Sequence, residues 1–519
     1  VARIAPAGSP RSKEPRLVSA RAQPKPSFQL ASYALAAATL SGCITAPVLE
    51  RPRLPEVTAY GAPALTAETA STAGLKGGES QQFLAGKPVP QQWWRQFGSE
   101  KLNALVQQAL DASPSVAAAQ ASLRSAEQLA LAARSGLFPT VDGNASGSRQ
   151  KVDVGSFGDP NGGAFIYNLF NANVQVSYAV DLFGRTARGL DASAAIVRAQ
   201  KFQAEAAYQT LIANVVNSAV QQALNRALLA GHEQVVANQE RLVAIAQKQL
   251  AIGALARVQV LELESNLATA RARLPVLRNA VGQEQTRLAL LLGQAPSATA
   301  VTDLALTELT LPQELPVSLP SELLRQRADV LAAEAELQRA EALLGVAHAS
   351  RFPSLNLTAS YGSQSTRLED LFQGDIWSLG AGLTAPIFRA GELAARENAA
   401  RADAEVARAN YQQTVLASFA DVANALRQLG SDAEALKANM AALNAAERTR
   451  NITEQQLRLG AANASQLILA EQAYTQAKAA AAQSLAARYQ NSVALYQALG
   501  GGWAVAAQGS SEAATASAP

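Results

Sequence analysis

Residues able to perform catalysis or hold a metal are scarce in this sequence, and their spacing forms none of the usual constellations. The 519 residues include two histidines, His232 and His348, with a single cysteine and a single methionine. A zinc-binding helix needs two imidazoles one turn apart, and His232-Glu233 has no such second histidine. No stretch has the form of a phosphate-cradling glycine loop or of the G-x-S-x-G elbow that presents a nucleophilic serine. Carboxylates are scattered over helical stretches beside arginines, as on solvated faces. No catalytic residue, no metal site and no cofactor is expected, and any work must be driven by a partner.

The lone cysteine, Cys43, excludes an internal disulfide. It follows a basic segment and an apolar run over 30–40, the order of an export signal, and that run is too short to cross a bilayer as a helix. Leu40-Ser41-Gly42-Cys43 resembles a bacterial lipoprotein signal, in which the cysteine becomes the acylated first residue. Ile44, in place of an aspartate, is similar to the outer-membrane sorting choice of that class. Residues 1–42 are thus expected to be a leader and Cys43 the site of lipid (palmitate) attachment. An incidental cysteine in an ordinary export signal is the plainer alternative.

Composition points to long helices. Apolar residues make up 49% but aromatics only 5%, and alanine supplies most of the difference. Alanine is the best helix former and lets helices approach closely. The net charge of +3 is concentrated in residues 1–42, which carry six basic residues against Glu14 alone. The remainder has a balance of −2, which does not suit a nucleic-acid partner.

The chain is written twice. Residues 114–146 align with 328–360 at an offset of 214, with 13 identities in 33 positions. Only six of these are alanine, so composition alone does not produce the match. Further on, Gly253 aligns with Gly460 and Leu292-Gly293 with Leu499-Gly500, at an offset of 207. Each half begins with an amphipathic helix, about 114–137 and 328–350, closed by a Phe-Pro that a helix cannot run through. A strand hairpin follows, about 140–182 and 354–388. Val174, Val176, Tyr178, Val180 and Leu182 alternate with polar or small residues, as do Leu355, Leu357, Ala359 and Tyr361, and Trp377, Leu379, Ala381, Leu383 and Ala385. The partner strand near 141–148 is much less distinct. Loops are expected at 155–163 and 364–374. Two long helices complete each half: 187–252, interrupted at most at Gly231, with a return over 258–292 kinked at Pro275; then 393–459 with a return to Leu499. Sixty-six helical residues would span roughly 100 Å. Alanine is spread round these helices rather than confined to a narrow seam, so packing on two sides is expected rather than a simple coiled coil.

The domain reading is a leader over 1–42, an anchor and equatorial segment over 43–98, a first repeat over 99–310, a second over 311–503, and a disordered tail over 504–519. Strands of about ten residues with one apolar face suit a membrane barrel, where every backbone polar group must be paired. Two hairpins give four strands, whereas closed barrels begin at about eight. Oligomerisation is therefore required, and a trimer with twelve strands is the economical solution. A soluble helical bundle capped by two hairpins is the alternative.

These parts are similar to the TolC/OprM outer-membrane factor family, specifically its NodT-like branch of efflux lipoproteins for RND systems. The marks are Trp93-Trp94-Arg95-Gln96-Phe97, Pro114-Ser115, Asp181-Leu182-Phe183-Gly184-Arg185, and Leu319-Pro320-Ser321-Glu322-Leu323-Leu324. Arg327-Ala328-Asp329-Val330 follows, with Ala328 where the family usually has proline, and then Pro386-Ile387-Phe388 with Gly391. The resemblance covers about 40–503. It implies a mainly α fold with a small β part and a homotrimer forming a 12-stranded outer-membrane barrel continued by a periplasmic α-helical barrel. It also implies an equatorial belt from 47–92, 311–320 and the C-terminal region. Expected partners are a periplasmic adaptor, an inner-membrane proton-driven pump and outer-membrane lipid. Ile252-Gly253-Ala254 and Leu459-Gly460-Ala461 match the tip turns against which the family's adaptors dock, although a glycine there is equally a helix cap. Gln259, Glu262, Gln466 and Leu469 fall where the family places its periplasmic constriction, often with aspartates. Here Glu262 alone is charged, and a solvated helix residue is its alternative.

The implied function is a passive exit duct for small toxic compounds in a tripartite efflux system. A duct for protein secretion or metal-ion export, or a non-conducting lipid-anchored periplasmic scaffold, would share much of this pattern.

Overall fold

The computed structural model describes residues 67–153, 164–297 and 304–501. The leader, Cys43 with residues 44–66, the hairpin loop at 155–163 and the tail 504–519 lie outside the described residues. After a short strand β1 (Gln82–Ala85), the first repeat runs α1 (Glu100–Ala112), α2 (Pro114–Arg134), β2 (Thr140–Asp153), β3 (Ala164–Val180), α3 (Arg185–Ala251) and α4 (Arg257–Leu291). After β4 (Glu314–Val317), the second runs α5 (Pro320–Gln326), α6 (Ala328–Ala349), β5 (Ser354–Ser365), β6 (Ile376–Thr384), α7 (Glu392–Arg458) and α8 (Ala464–Ala498). Helices α3 and α7 are both 67 residues long, and α4 and α8 are both 35. The duplication read from sequence is thus preserved in element order and in the lengths of the long helices.

Local chemistry sets the boundaries. The Ser99 hydroxyl accepts the Leu102 N–H at the start of α1, and Pro114 opens α2, where its missing N–H costs nothing. Helix α2 ends at Arg134, and a single 3-10 turn leads into Phe138-Pro139, slightly earlier than the sequence suggested. Gly231 does not interrupt α3, and α4 continues through Pro275 although the Arg271 carbonyl loses its usual donor there. Strand β3 stops at Val180 rather than Leu182, because the Asp181 carboxylate accepts the Ala187 N–H at 2.9 Å and turns the chain into α3.

The strands form one antiparallel sheet in the order β2-β3-β5-β6, so β2 and β6 are free edges. The register places Val141, Val176, Ala359 and Leu379 in one row, and Gly143, Val174, Tyr361 and Trp377 in the next. Val180, Leu355 and Leu383 continue the same face. Side chains alternate across a strand, so the opposite face carries Asp142, Gln175, Ser360 and Ser378, with Thr140, Ser177 and Thr358 beside them. Strand β2 is longer than the expected 141–148. It read poorly because its apolar face is made of small residues whose volume a neighbour supplies: Phe170 of β3 lies so close over Gly147 that a Cβ there would meet its ring at 3.1 Å.

Below the sheet, α3 buries Ala192, Ala195, Ala199, Ala213, Ala219 and Ala223, which lets the neighbouring helices approach closely. One apolar core joins the two repeats. Strands β1 and β4 pair in parallel, Trp93 stacks on Tyr496 with ring centroids 5.2 Å apart, and Phe97, Leu102, Leu315 and Tyr489 are fully enclosed. Burial of each such side chain contributes about 1.5–3 kcal/mol. Among the described residues, no helix is long and apolar enough to cross a membrane.

Candidate functional site

The sequence drew attention to the far ends of the helical hairpins. Each outgoing helix ends in the same way. Gly253 and Gly460 adopt the left-handed conformation, with φ of 73° and 76°, which side chains with a Cβ adopt only with strain. In the first turn the Gly253 N–H donates to the Leu250 carbonyl and the Ala254 N–H to that of Gln249. In the second, Gly460 donates to Leu457 and Ala461 to Gln456. This is the paired-bond ending that satisfies the last carbonyls of a helix. Ile252 and Leu459 project from the two turns and are 79% and 84% exposed. An apolar side chain at the tip of a long helical hairpin contributes nothing to the hairpin's own packing.

The return helices start from matching caps. The Asn463 side chain accepts the Gln466 N–H, and the Gln466 side-chain oxygen accepts the Asn463 N–H, both at 2.9 Å. In the first repeat Ala256 stands at the Asn463 position and has no acceptor, so only the reciprocal bond from the Ala256 N–H to Gln259, at 3.3 Å, is made. The structure therefore gives Gln259 and Gln466 a definite local task at the N-termini of α4 and α8. Glu262 and Leu469 lie one turn further on, exposed, on the side of each helix opposite Val260, Leu263, Leu467 and Ile468, which are buried. Ile468 packs into the apolar cluster of the first hairpin, formed by Val236, Val243, Val260, Leu263 and Leu267. That contact sets the two tips side by side.

Two polar clusters in the helical region escaped the sequence reading. Glu471 is the one carboxylate of α8 and is buried against α3. Its Oε1 accepts from the Asn238 amide at 3.1 Å, and its Oε2 has no partner. Close by, the Arg450 guanidinium lies 4.6 Å from the Tyr474 ring. Burial pushes the Glu471 carboxyl above its ordinary value of 4.5, only partly opposed by Asn238 and Arg450. The lone acid in an alanine-rich helix was the available signal. Because the carboxyl titrates higher in the folded chain, its favourable contribution is complete below pH 4.5 and is lost as pH rises through the folded value. Glu471→Gln keeps the acceptor for Asn238 and removes the buried charge. At pH 7 it should unfold at a higher temperature than the parent, by on the order of 1 °C. The gap should close at pH 4, and calorimetry at the two pH values checks this.

The second cluster explains the Arg327-Ala328-Asp329 stretch. The buried Arg327 guanidinium donates to Asp329 at 2.6 and 3.0 Å, to Asp421 at 3.0 Å and to the Ala498 carbonyl at 3.1 Å, tying α6, α7 and α8 together. Burial alone would raise the Asp329 carboxyl, but Arg327 holds it below the usual carboxylate value.

At the other end, the sheet presents large apolar residues to solvent on one face. Trp377 is 70% exposed, Leu379 76% and Leu383 66%, with Val141 and Tyr361 similarly open. A soluble monomer rarely leaves so continuous an apolar face uncovered. The polar face carries hydroxyls and amides, and Asp142 is the one charged side chain among the paired positions from Thr140 to Gly147 and their partners on β3, β5 and β6.

Comparison with known proteins agrees with this geometry. Pyoverdine export outer membrane protein OpmQ of Pseudomonas aeruginosa is 32% identical over 426 residues, covering 80% of this chain and 89% of that protein. The solved structure of the outer-membrane channel OprN is similar with a TM-score of 0.75 at 28% identity, over 88% of this chain and 99% of that one. The open state of the Neisseria gonorrhoeae MtrE outer membrane channel gives 0.74 at 26% identity, over 89% and 98%. With its segments 105–294 and 319–501 both matching the family model, the chain belongs to the outer membrane efflux protein family.

Proposed function

We propose that three copies of this chain close a 12-stranded barrel in the outer membrane and extend it into the periplasm as a tube of helices. The assembly is a passive exit duct for small toxic compounds, engaged at its tips by a periplasmic adaptor and driven by an inner-membrane pump. The observation that carries this reading is the four-stranded sheet with two free edges, one apolar face and one polar face. In hydrocarbon the edges must be paired, and four strands cannot pair their own edges by closing on themselves. Pairing β6 of one copy with β2 of the next satisfies both edges. It also turns the apolar face to lipid and the polar face to a water-filled lumen. A wall with one carboxylate per chain among its paired polar-face residues favours breadth over selectivity by charge.

The tips are the proposed docking surface, with Ile252, Gly253 and Ala254 on one turn and Leu459, Gly460 and Ala461 on the other. Exposed Ile252 and Leu459 offer apolar contact, and the glycines let a partner backbone come close. Gln259, Glu262, Gln466 and Leu469 line the proposed constriction just above, with Glu262 supplying three carboxylates per trimer. Cys43 is the proposed lipid attachment.

Single-channel recording of the purified protein in planar bilayers tests the duct. Discrete conductance steps are expected, and a protein that inserts yet never conducts would instead be a scaffold. Replacing Ile252 and Leu459 together by Asp should reduce capture of the cognate adaptor at least tenfold while leaving trimer formation unchanged. Undiminished capture would confine those residues to a capping role. For the anchor, Cys43→Ser should abolish incorporation of labelled palmitate while an unboiled gel still shows the trimer, because the strands insert independently of the lipid. Labelling that persists in that variant would remove the assignment.

A further inference from the structure

Where the four strands meet the helices, each crossing is marked by an arginine. Arg134 lies six residues before β2, Arg185 five after β3, Arg351 three before β5 and Arg389 five after β6. Arg188, Arg396 and Arg401 join them within the adjoining helical turns. The four junction segments 131–139, 181–191, 348–353 and 385–401 contain seven arginines, no lysine and four carboxylates. At the opposite end of the strands, segments 148–153 and 365–376 carry three cations and four carboxylates. One end of the sheet is therefore basic and the other is not.

The junctions lie along one rim. A Cβ placed on Gly136 would be 3.5 Å from Thr186, which brings the end of α2 to the start of α3. Phe183 stacks on Phe352 at 5.1 Å, joining the start of α3 to the entry of β5. Some of these arginines are engaged: Arg351 with Glu397 at 2.6 Å, Arg188 with Asp191 at 3.3 Å and Arg396 with Glu392 at 2.7 Å. Arg134 and Arg185 are exposed and have no ionic or hydrogen-bonding partner among the described residues. Arg389 has only a 3.7 Å approach to Glu392, a carboxylate already taken by Arg396. Beside them, Phe138, Leu182, Ile387 and Phe388 are exposed, Ile387 by 92%.

Exposed apolar residues interleaved with cations, directly below an apolar sheet face, are what a membrane–water boundary selects. Arginine rather than lysine adds a planar fork that matches two oxygens of a phosphodiester. We propose that this rim, through Arg134, Arg185 and Arg389 above all, is a docking band for the headgroups of anionic phospholipids in the periplasmic leaflet. The band fixes the depth of the barrel in the bilayer and gives the trimer a retained ring of acidic lipid. The inference rests on the barrel reading, since it needs the apolar face to be in lipid.

The test compares the wild-type protein with the triple variant Arg134→Gln/Arg185→Gln/Arg389→Gln, and with Arg458→Gln at the far end of α7 as a control. Each is reconstituted in nanodiscs mixing phosphatidylglycerol with phosphatidylethanolamine, extracted gently, and its retained lipid is identified by native mass spectrometry. One arginine near an anionic surface changes binding about fivefold, so three should change it on the order of a hundredfold. The wild type and the control should retain phosphatidylglycerol preferentially, and less so at high salt. The triple variant should remain trimeric and lose that preference. Equal phosphatidylglycerol retention by the wild type and the triple variant would overturn the inference. So would a triple variant that keeps its lipid but falls to monomers, which would place the arginines between subunits, or one that keeps its lipid but changes ion selectivity, which would place them in the lumen. A wild type that enters no nanodisc of either lipid would instead sink the barrel reading, and this inference with it.

Discussion

Leu379→Arg should abolish assembly in the membrane, whereas Ser378→Arg, one residue away, should permit it. Leu379 lies in the middle of β6, in a row with Val141, Val176 and Ala359 on the apolar face. An arginine facing lipid near the bilayer midplane costs about 2–4 kcal/mol. The proposed trimer carries the substitution three times, so the total is roughly 6–12 kcal/mol, enough to remove most of the stability available to an ordinary fold. Ser378 pairs with Ser360 on the other face, where water is expected. An arginine there meets no hydrocarbon, although it narrows the lumen and should lower conductance. Membrane fractionation with an unboiled gel reads both variants. The physical content lies in the contrast: adjacent residues in a strand point to opposite solvents. Equal tolerance of the two would mean that the apolar face is not against lipid.

Arg488→Met should loosen the N-terminal segment 67–97 from the helices. Arg488 is fully buried on α8, and its guanidinium donates to the Gly77 carbonyl at 3.0 Å and the Glu79 carbonyl at 2.9 Å, with Thr69 Oγ1 at 3.3 Å. Burial pulls the guanidinium below its ordinary pKa, opposed by the nearby Glu79 and Asp432 carboxylates. Methionine fills similar volume but donates nothing, leaving those carbonyls enclosed and unpaired. Removing one side of such an arrangement costs about 3–5 kcal/mol. The expected result is a lower unfolding temperature and rapid proteolysis within 67–97 in a protein that is otherwise as helical as the parent. A variant as protease-resistant as the parent would mean that the Trp93–Tyr496 stack and its neighbours hold the segment without the cation.

Much of this architecture could be read from the sequence because its signals are local. Phe138-Pro139 and Phe352-Pro353 end helices by backbone chemistry alone, and Gly253 and Gly460 mark turns for the same reason. The alternation from Leu355 to Tyr361 gives one face of β5 directly. What was hard to read depends on partners distant in sequence. Strand β2 looks weak because Gly147 makes room for Phe170, a residue on another strand. The Arg488 cluster joins positions some four hundred residues apart, and no periodicity within α8 announces it. Similarly, Glu471 looks like one more surface acid until α3 closes over it. At the tips the turns were evident, but the caps made by Gln259 and Gln466 were not, since the residue types suit a polar constriction equally well.

Covalent linkage of the free sheet edges reads the shared wall directly. Asn144 on β2 and Ser378 on β6 both lie on the polar face, at opposite edges of the sheet. A chain carrying Asn144→Cys and Ser378→Cys, treated in the membrane with a flexible bismaleimide, should give a ladder on a denaturing gel that ends at three subunits. Either single variant should give no ladder. Should the doubly substituted protein stay monomeric after treatment, and dissolve in water without detergent, then its strands are sealed by its own helices and there is no shared wall.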